Sequence, residues 1–285
     1  MNRPRDHHYI PQFYLKRWCG NDGRLTYFKR INGILRSDRI GARGTGFERD
    51  LYTAEHVPPA LRQAFEQYVT AEVDCGGAEA LTKMRSNGAG SLTANERIQW
   101  ARFLVSLPIR NPEAVADIKQ SSTRNSIEQA YKKAKELHPD WIERDDFKED
   151  FNNAIADDPM TRFLSGNYGL FVMANIMLNR QYQERFLEMH WWTTDFSGSN
   201  FSLLTCDRPY KLFRELAHPR CLVYLPLGPD CGFFASPDEA KQKQLQRGGL
   251  DALAKQMNAV EVELAVHFVY AADCTQRRFI ENRWC

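Results

Sequence analysis

The sequence contains no C-x-x-C pair, and its seven cysteines (Cys19, Cys75, Cys206, Cys221, Cys231, Cys274 and Cys285) are odd in number. That spacing argues against a closed disulfide framework or a structural zinc site and fits reduced thiols. Long hydrophobic runs are also missing. The longest, around Tyr168 to Leu178, falls short of the roughly 20 residues a membrane helix needs and is interrupted by Asn175. The opening Met1-Asn2-Arg3-Pro4-Arg5-Asp6 carries no apolar core before a small-residue cleavage site, so no secretory signal is expected. These absences predict a cytoplasmic protein without a membrane partner. There is no G-x-G-x-x-G, Walker A loop, H-E-x-x-H, G-x-S-x-G or kinase pattern, and no repeat of fixed period. The familiar nucleotide-dependent, zincin and hydrolase classes are thereby removed.

What is present is a globular composition over 285 residues, 43% hydrophobic and 26% charged, enough to bury a substantial core. The net charge of +2 hides an asymmetry: residues 1–50 hold eleven Lys and Arg against five acids, and the remainder 27 against 31. A basic segment of this kind can contact nucleic-acid phosphates by displacing counterions, or can simply be a solvated face. Residues 136–158 carry nine acids and two bases and read as an acidic helical connector, with a short helix around Asp146 to Ile155.

Asn32-Gly33 between apolar runs predicts a type I′ hairpin. Apolar residues at spacings of three and four after Pro58-Pro59 predict a helix that can extend past Gly76-Gly77 to Met84. Thr93-x-x-Glu96 has the form of a capping box, and Pro108 is expected to end the helix it opens. Further helices are expected from Pro112 to about Leu137 and from Met160 to Phe186, the second with a kink at Gly166 or Gly169. Short β-favouring runs at 190–194, 201–205, 221–225 and 231–234 read as strands of one antiparallel sheet. A polar helix at about 237–246 and a last one from Leu250 towards Tyr270 close the chain. The order gives α+β: an N-terminal hairpin, central helices, an antiparallel sheet and a C-terminal helix, expected as a single domain over 1–285. The hairpin needs a partner surface and is expected to meet the 201–234 strands.

The densest feature is His7-His8-Tyr9-Ile10-Pro11-Gln12-Phe13-Tyr14-Leu15-Lys16-Arg17-Trp18. It resembles the HHY-[VI]-P-x-[FY] opening of the bacterial DUF4238 family. Thr205-Cys206-Asp207-Arg208-Pro209 is similar to that family's T-S-D-x-P, Pro226-Leu227-Gly228-Pro229 to its P-L-[ST]-P, and Asn258 with Ala265 and Val269-Tyr270 to its C-terminal segment. Cys206 and Gly228 stand where a hydroxyl residue is usual. The resemblance implies a shared fold and no particular activity.

His7 and His8 can serve as general base, metal ligand or phosphate contact near neutral pH, or can pack with their nitrogens hydrogen-bonded. Asp207, at a strand end, can coordinate a metal or cap backbone N–H groups. Glu66 and Glu72 lie about 120° apart around their helix, while Glu72 and Glu79 share a face. Arg110 can clamp a phosphate or bond helix C-terminal carbonyls, and one of Trp191 and Trp192 is expected to face the core. Two readings follow. In the first, a metal-dependent phosphodiesterase or nuclease, His7, His8 and Asp207 are the catalytic candidates and His8, Glu72 and Asp207 the ligands of a divalent metal, with residues 1–50 holding nucleic acid. In the second, a non-catalytic binding or regulatory module, the His-His-Tyr segment is a plug anchoring the N-terminus, with His8 drawn inward. The second needs fewer coincidences. Under either reading Asp207 is expected to be hydrogen-bonded at a strand end and close in space to the His7-His8 segment, and a shared site requires the imidazoles and Asp207 within a few ångströms in an open cleft.

Overall fold

The computed structural model describes residues 5–137 and 159–284, together with 149, 151 and 153. The acidic connector and its short helix therefore lie largely outside the described residues. The architecture is mixed α+β with antiparallel sheets. Strand β1 (Asp6–His8) leads through Pro11 into the single turn α1 (Gln12–Leu15). Strands β2 (Arg24–Ile31) and β3 (Ile34–Gly41) form the expected hairpin, with Asn32 and Gly33 both at positive φ, 51° and 77°. β4 (Phe47–Arg49) pairs with β1.

The helical layer begins with α2 (Ala64–Tyr68), which passes through a wider π-type stretch, Val69–Asp74, into α3 (Cys75–Asn87). The chain from Pro58 to Gln63 is a turn, so this helix starts later than its apolar spacing implied. α4 (Ala94–Arg110) opens on the expected capping box: the Glu96 N–H donates to the Thr93 hydroxyl, and the Glu96 carboxylate accepts from the Thr93 N–H at 2.7 Å. Pro108 does not stop it. Proline removes one N–H and sits here in the last turn, so the helix runs two residues further. α5 (Pro112–Leu137) lies against α6 (Pro159–Leu178). At Gly169 a Cβ would stand 2.7 Å from the Lys119 Cα, so this glycine sets how closely the two helices approach. The kink expected at Gly166 or Gly169 is replaced by a break at Asn179, whose side chain caps α7 (Arg180–Leu187).

The expected single sheet is two. One contains β5 (His190–Asp195), β7 (Lys211–Phe213), β8 (Leu222–Gly228) and β9 (Cys231–Ser236), in the order β5-β9-β8-β7. The other has the order β3-β2-β10-β6, with β6 (Thr205–Cys206) and β10 (Val269–Ala271). The hairpin thus meets Thr205–Cys206 through β10 and belongs to a different sheet from Leu222–Ser236. After the polar helix α8 (Ala240–Gln246), α9 (Leu250–Leu264) stops short of Tyr270, and the valine-bearing end is strand β10. A final turn, α10 (Arg277–Glu281), closes the chain. Every residue of β8 and β9 is buried because α4 packs on one face, through Trp100 and Phe103 with Phe233, and α9 on the other, through Leu253 and Met257 with Tyr224 and Phe234. Trp191 and Trp192 point to opposite faces and are both buried, Trp191 against Phe233 and Trp192 against Phe234. No helix among the described residues is long and apolar enough to cross a membrane.

The positive φ at Gly33 is unfavourable for a side chain by about 1–2 kcal/mol. Gly33→Val should therefore lower unfolding free energy by at least about 1 kcal/mol in urea titration; an unchanged midpoint would show that the hairpin tolerates another turn.

Candidate functional site

The His-His-Tyr segment is an internal brace. His7 has no exposed surface. Its ring stacks on Tyr52 with centroids 5.6 Å apart, and Nδ1 accepts the Tyr52 backbone N–H at 2.9 Å. Its Nε2 and the Gln63 Oε1 are both buried without a direct partner. Burial lowers the ring's pKa, against the opposing pull of Gln63 and Asp50. His8 is partly buried against Phe47, its Nε2 3.3 Å from the Arg43 carbonyl; burial lowers its pKa too. Both rings are drawn inward, His8 partly, as expected, and His7 completely.

Beneath this brace lies Arg110, almost wholly buried. Its Nη1 and Nη2 donate to both Asp74 oxygens at 2.6 and 3.1 Å, and Nη2 also donates to the His8 carbonyl at 3.1 Å. The Arg110 carbonyl in turn accepts the Tyr52 hydroxyl at 2.6 Å. Burial works against the guanidinium charge, but Asp74 outweighs it and raises the pKa. Neither role expected for Arg110, phosphate clamp or carbonyl cap, describes this bidentate buried pair. Glu66 stands beside it. Burial pushes its pKa up to about 7, against the pull of Arg110 and with the support of Asp74. Glu72 is exposed. Glu66, weighed only as a surface carboxylate, is the helix acid that meets the His-His-Tyr segment.

Asp207, 4% exposed, caps backbone: its carboxylate accepts the N–H groups of Val266 and His267 at 2.9 and 2.7 Å. Burial raises its pKa against these bonds. No hydrogen bond joins it to His7 or His8. The first and second motifs meet elsewhere, where the Tyr14 hydroxyl lies 2.8 Å from the Thr205 hydroxyl and Trp18 Nε1 donates to the Leu203 carbonyl at 2.9 Å. The other motifs reach the segment just before that strand: Pro229 O accepts the Leu203 N–H, and Asn258 accepts the Leu204 N–H while donating to the Ser202 carbonyl. Among the described residues no group of three or more His, Cys, Asp or Glu side chains is placed to hold a metal ion, so His8, Glu72 and Asp207 are not brought together as a ligand set.

Two cavities open beside the brace, one on each side of the segment Thr53–Phe65. The first, about 710 Å³, is polar and lined by Arg5, Asp50, Glu55, Arg62, Gln63 and Lys119. The second, about 340 Å³, is an apolar groove lined by Val57, Leu61, Phe65 and, from α6, Phe163, Phe171 and Leu178. Neither contains a residue nominated for chemistry from the sequence. The available signal is the polar pair Arg62-Gln63 set between the apolar pairs Ala60-Leu61 and Ala64-Phe65.

Against known proteins, the family model described as a protein of unknown function (DUF4238) matches residues 6–275. The chain belongs to this family. No curated protein and no solved structure matches it.

Two measurements follow. The raised Glu66 pKa means that the native state holds a proton which the unfolded chain, with an ordinary value of 4.5, has already lost. Its contribution to stability is therefore complete at low pH, falls as pH rises from about 4.5 to about 7, and is flat above. Glu66→Gln should remove that slope and raise stability at pH 8 by about 1–3 kcal/mol in denaturant unfolding; a variant with the parental slope would contradict the assignment. Separately, a double-mutant cycle of Tyr14→Phe with Thr205→Val should show coupling above about 0.5 kcal/mol, while His8→Gln with Asp207→Asn should be additive within that figure.

Proposed function

We propose that this family member is a non-catalytic binding or regulatory module in which the His-His-Tyr segment is a structural anchor. The observation that carries this reading is that, His7 Nε2 apart, the main polar groups of the motifs are engaged within the chain: His7 Nδ1 with the Tyr52 N–H, the His8 carbonyl with Arg110, and Asp207 with the 266–267 backbone. A catalytic group must reach substrate, and an imidazole with no exposed surface does not. The basic N-terminal segment fits the same reading. Arg5 pairs with Asp50, Arg39 with Asp22, and Arg30 donates to the carbonyls of Gly33, Glu281 and Trp284, so several of its charges serve the fold. Among the described residues, two cavities flanking Thr53–Phe65 are open to a binding partner.

The test is a cleavage panel. Purified protein with magnesium, manganese or zinc should leave single- and double-stranded DNA, RNA and a small phosphodiester intact. His7→Ala should lower unfolding free energy by about 1–3 kcal/mol through lost packing and an orphaned Tyr52 N–H. Metal-dependent cleavage that His8→Ala or Asp207→Ala abolishes at unchanged melting temperature would replace the module by the phosphodiesterase or nuclease.

A further inference from the structure

The segment between β4 and α2 is a stiff partition. The Ala54 N–H bonds the Arg62 carbonyl at 2.8 Å, closing the turn on itself. Asn167 of α6 holds the segment from outside, accepting the Glu55 N–H at 2.9 Å and donating to the Glu55 carbonyl at 2.8 Å. On one side Leu61 and Phe65 line the apolar groove; on the other Arg62 and Gln63 line the polar cavity. Leu61 and Arg62 are adjacent, so the lips of the two cavities lie one peptide unit apart, about 3.8 Å from Cα to Cα.

The two sides call for different halves of one ligand. The groove wall holds two polar side chains, Asn167 and Tyr68: both amide hydrogens of Asn167 are used, since Nδ2 also donates to the Phe163 carbonyl at 2.7 Å, and the Tyr68 hydroxyl is buried away from the opening. An occupant therefore gains chiefly from apolar contact there, and much is on offer: Leu61, Phe171 and Leu178 are 54%, 49% and 46% exposed. In the polar cavity Arg5 is neutralised by Asp50. Arg62 and Lys119 then stand against Glu55. Arg62 has no ion-pair partner among the described residues, and Lys119 uses one donor on the Leu51 carbonyl at 3.2 Å, leaving two.

Building on the binding-module reading, we infer that the groove and cavity form one site for a monomeric anionic amphiphile: an alkyl chain along Leu61, Phe171 and Leu178, with its carboxylate crossing the Leu61–Arg62 lip to Arg62 and Lys119. The groove volume of about 340 Å³ lies within the range of small-molecule sites.

The test is calorimetric titration of the full chain with dodecanoate below its micellar concentration. Dodecyltrimethylammonium serves as the chain of opposite charge and acetate as the headgroup alone. One saturable site is expected for dodecanoate, with the cationic chain at least tenfold weaker and acetate undetected. Arg62→Glu and Leu178→Ser should each weaken dodecanoate at least tenfold at unchanged melting temperature; Phe171→Ser provides a second groove variant if Leu178→Ser loses stability. Equal affinity for the two chains, insensitivity to Arg62→Glu, or absence of saturable binding would overturn the proposal. So would sedimentation with phosphatidylglycerol vesicles in the absence of dodecanoate binding, which would point to a membrane surface instead. Failure of the module reading itself is distinct, because it registers as metal-dependent cleavage in the nuclease panel.

Discussion

The structure depends on satisfying one buried length of extended backbone. Residues 203–207 are buried, yet only Thr205–Cys206 pairs as strand, so most of their peptide groups need partners from elsewhere. Trp18 donates to the Leu203 carbonyl, Pro229 accepts the Leu203 N–H, Asn258 accepts the Leu204 N–H, and the Asp207 N–H reaches Phe268 O. Each partner comes from a different part of the chain, and together they tie the N-terminal turn, the end of β8 and helix α9 to one thread. Removing any of them would leave a buried peptide group unpaired, at a cost of about 1–3 kcal/mol. This accounts for residues that look chemical in sequence and are structural in place.

The second dependency is the Arg110–Asp74 pair, and it explains why Glu66 was passed over. On a regular α-helix, residues eight apart such as Glu66 and Asp74 fall about 80° beyond two full turns and do not share a face. The wider π-type stretch Val69–Asp74 takes up part of that excess, and both carboxylates act on Arg110. A wheel drawn at constant pitch cannot show this. The widened turn ends on the carboxylate that holds the buried guanidinium, a tertiary contact that leaves no mark in local periodicity.

Elements whose signals are local were legible: the Asn32-Gly33 hairpin, the Thr93–Glu96 capping box and the long helix from Pro112. Those settled by distant partners were not. Thr205–Cys206 is too short to declare its sheet, and its neighbour β10 lies 63 residues further on. The Val269–Ala271 run has a helix before it and becomes strand because Tyr27 and Thr205 flank it on both sides. The α+β class was accessible for the same reason that the division into two sheets was not: composition and order determine class, whereas pairing is chosen by the whole core.

The anchoring network also bears on where binding can reside. Side chains that brace buried backbone are constrained by the fold and have little freedom to meet a ligand, so recognition falls to segments the scaffold holds at its surface. Thr53–Phe65 has that character. It follows the positive φ of Asp50, contains a second at His56 (54°), and is clamped by Asn167 on α6 and by its own Ala54–Arg62 bond. Non-glycine residues at positive φ persist only where their surroundings enforce them, which makes this loop stiff before any ligand arrives. A stiff rim loses little conformational entropy on binding, so even a modest apolar contact in the groove is retained as affinity.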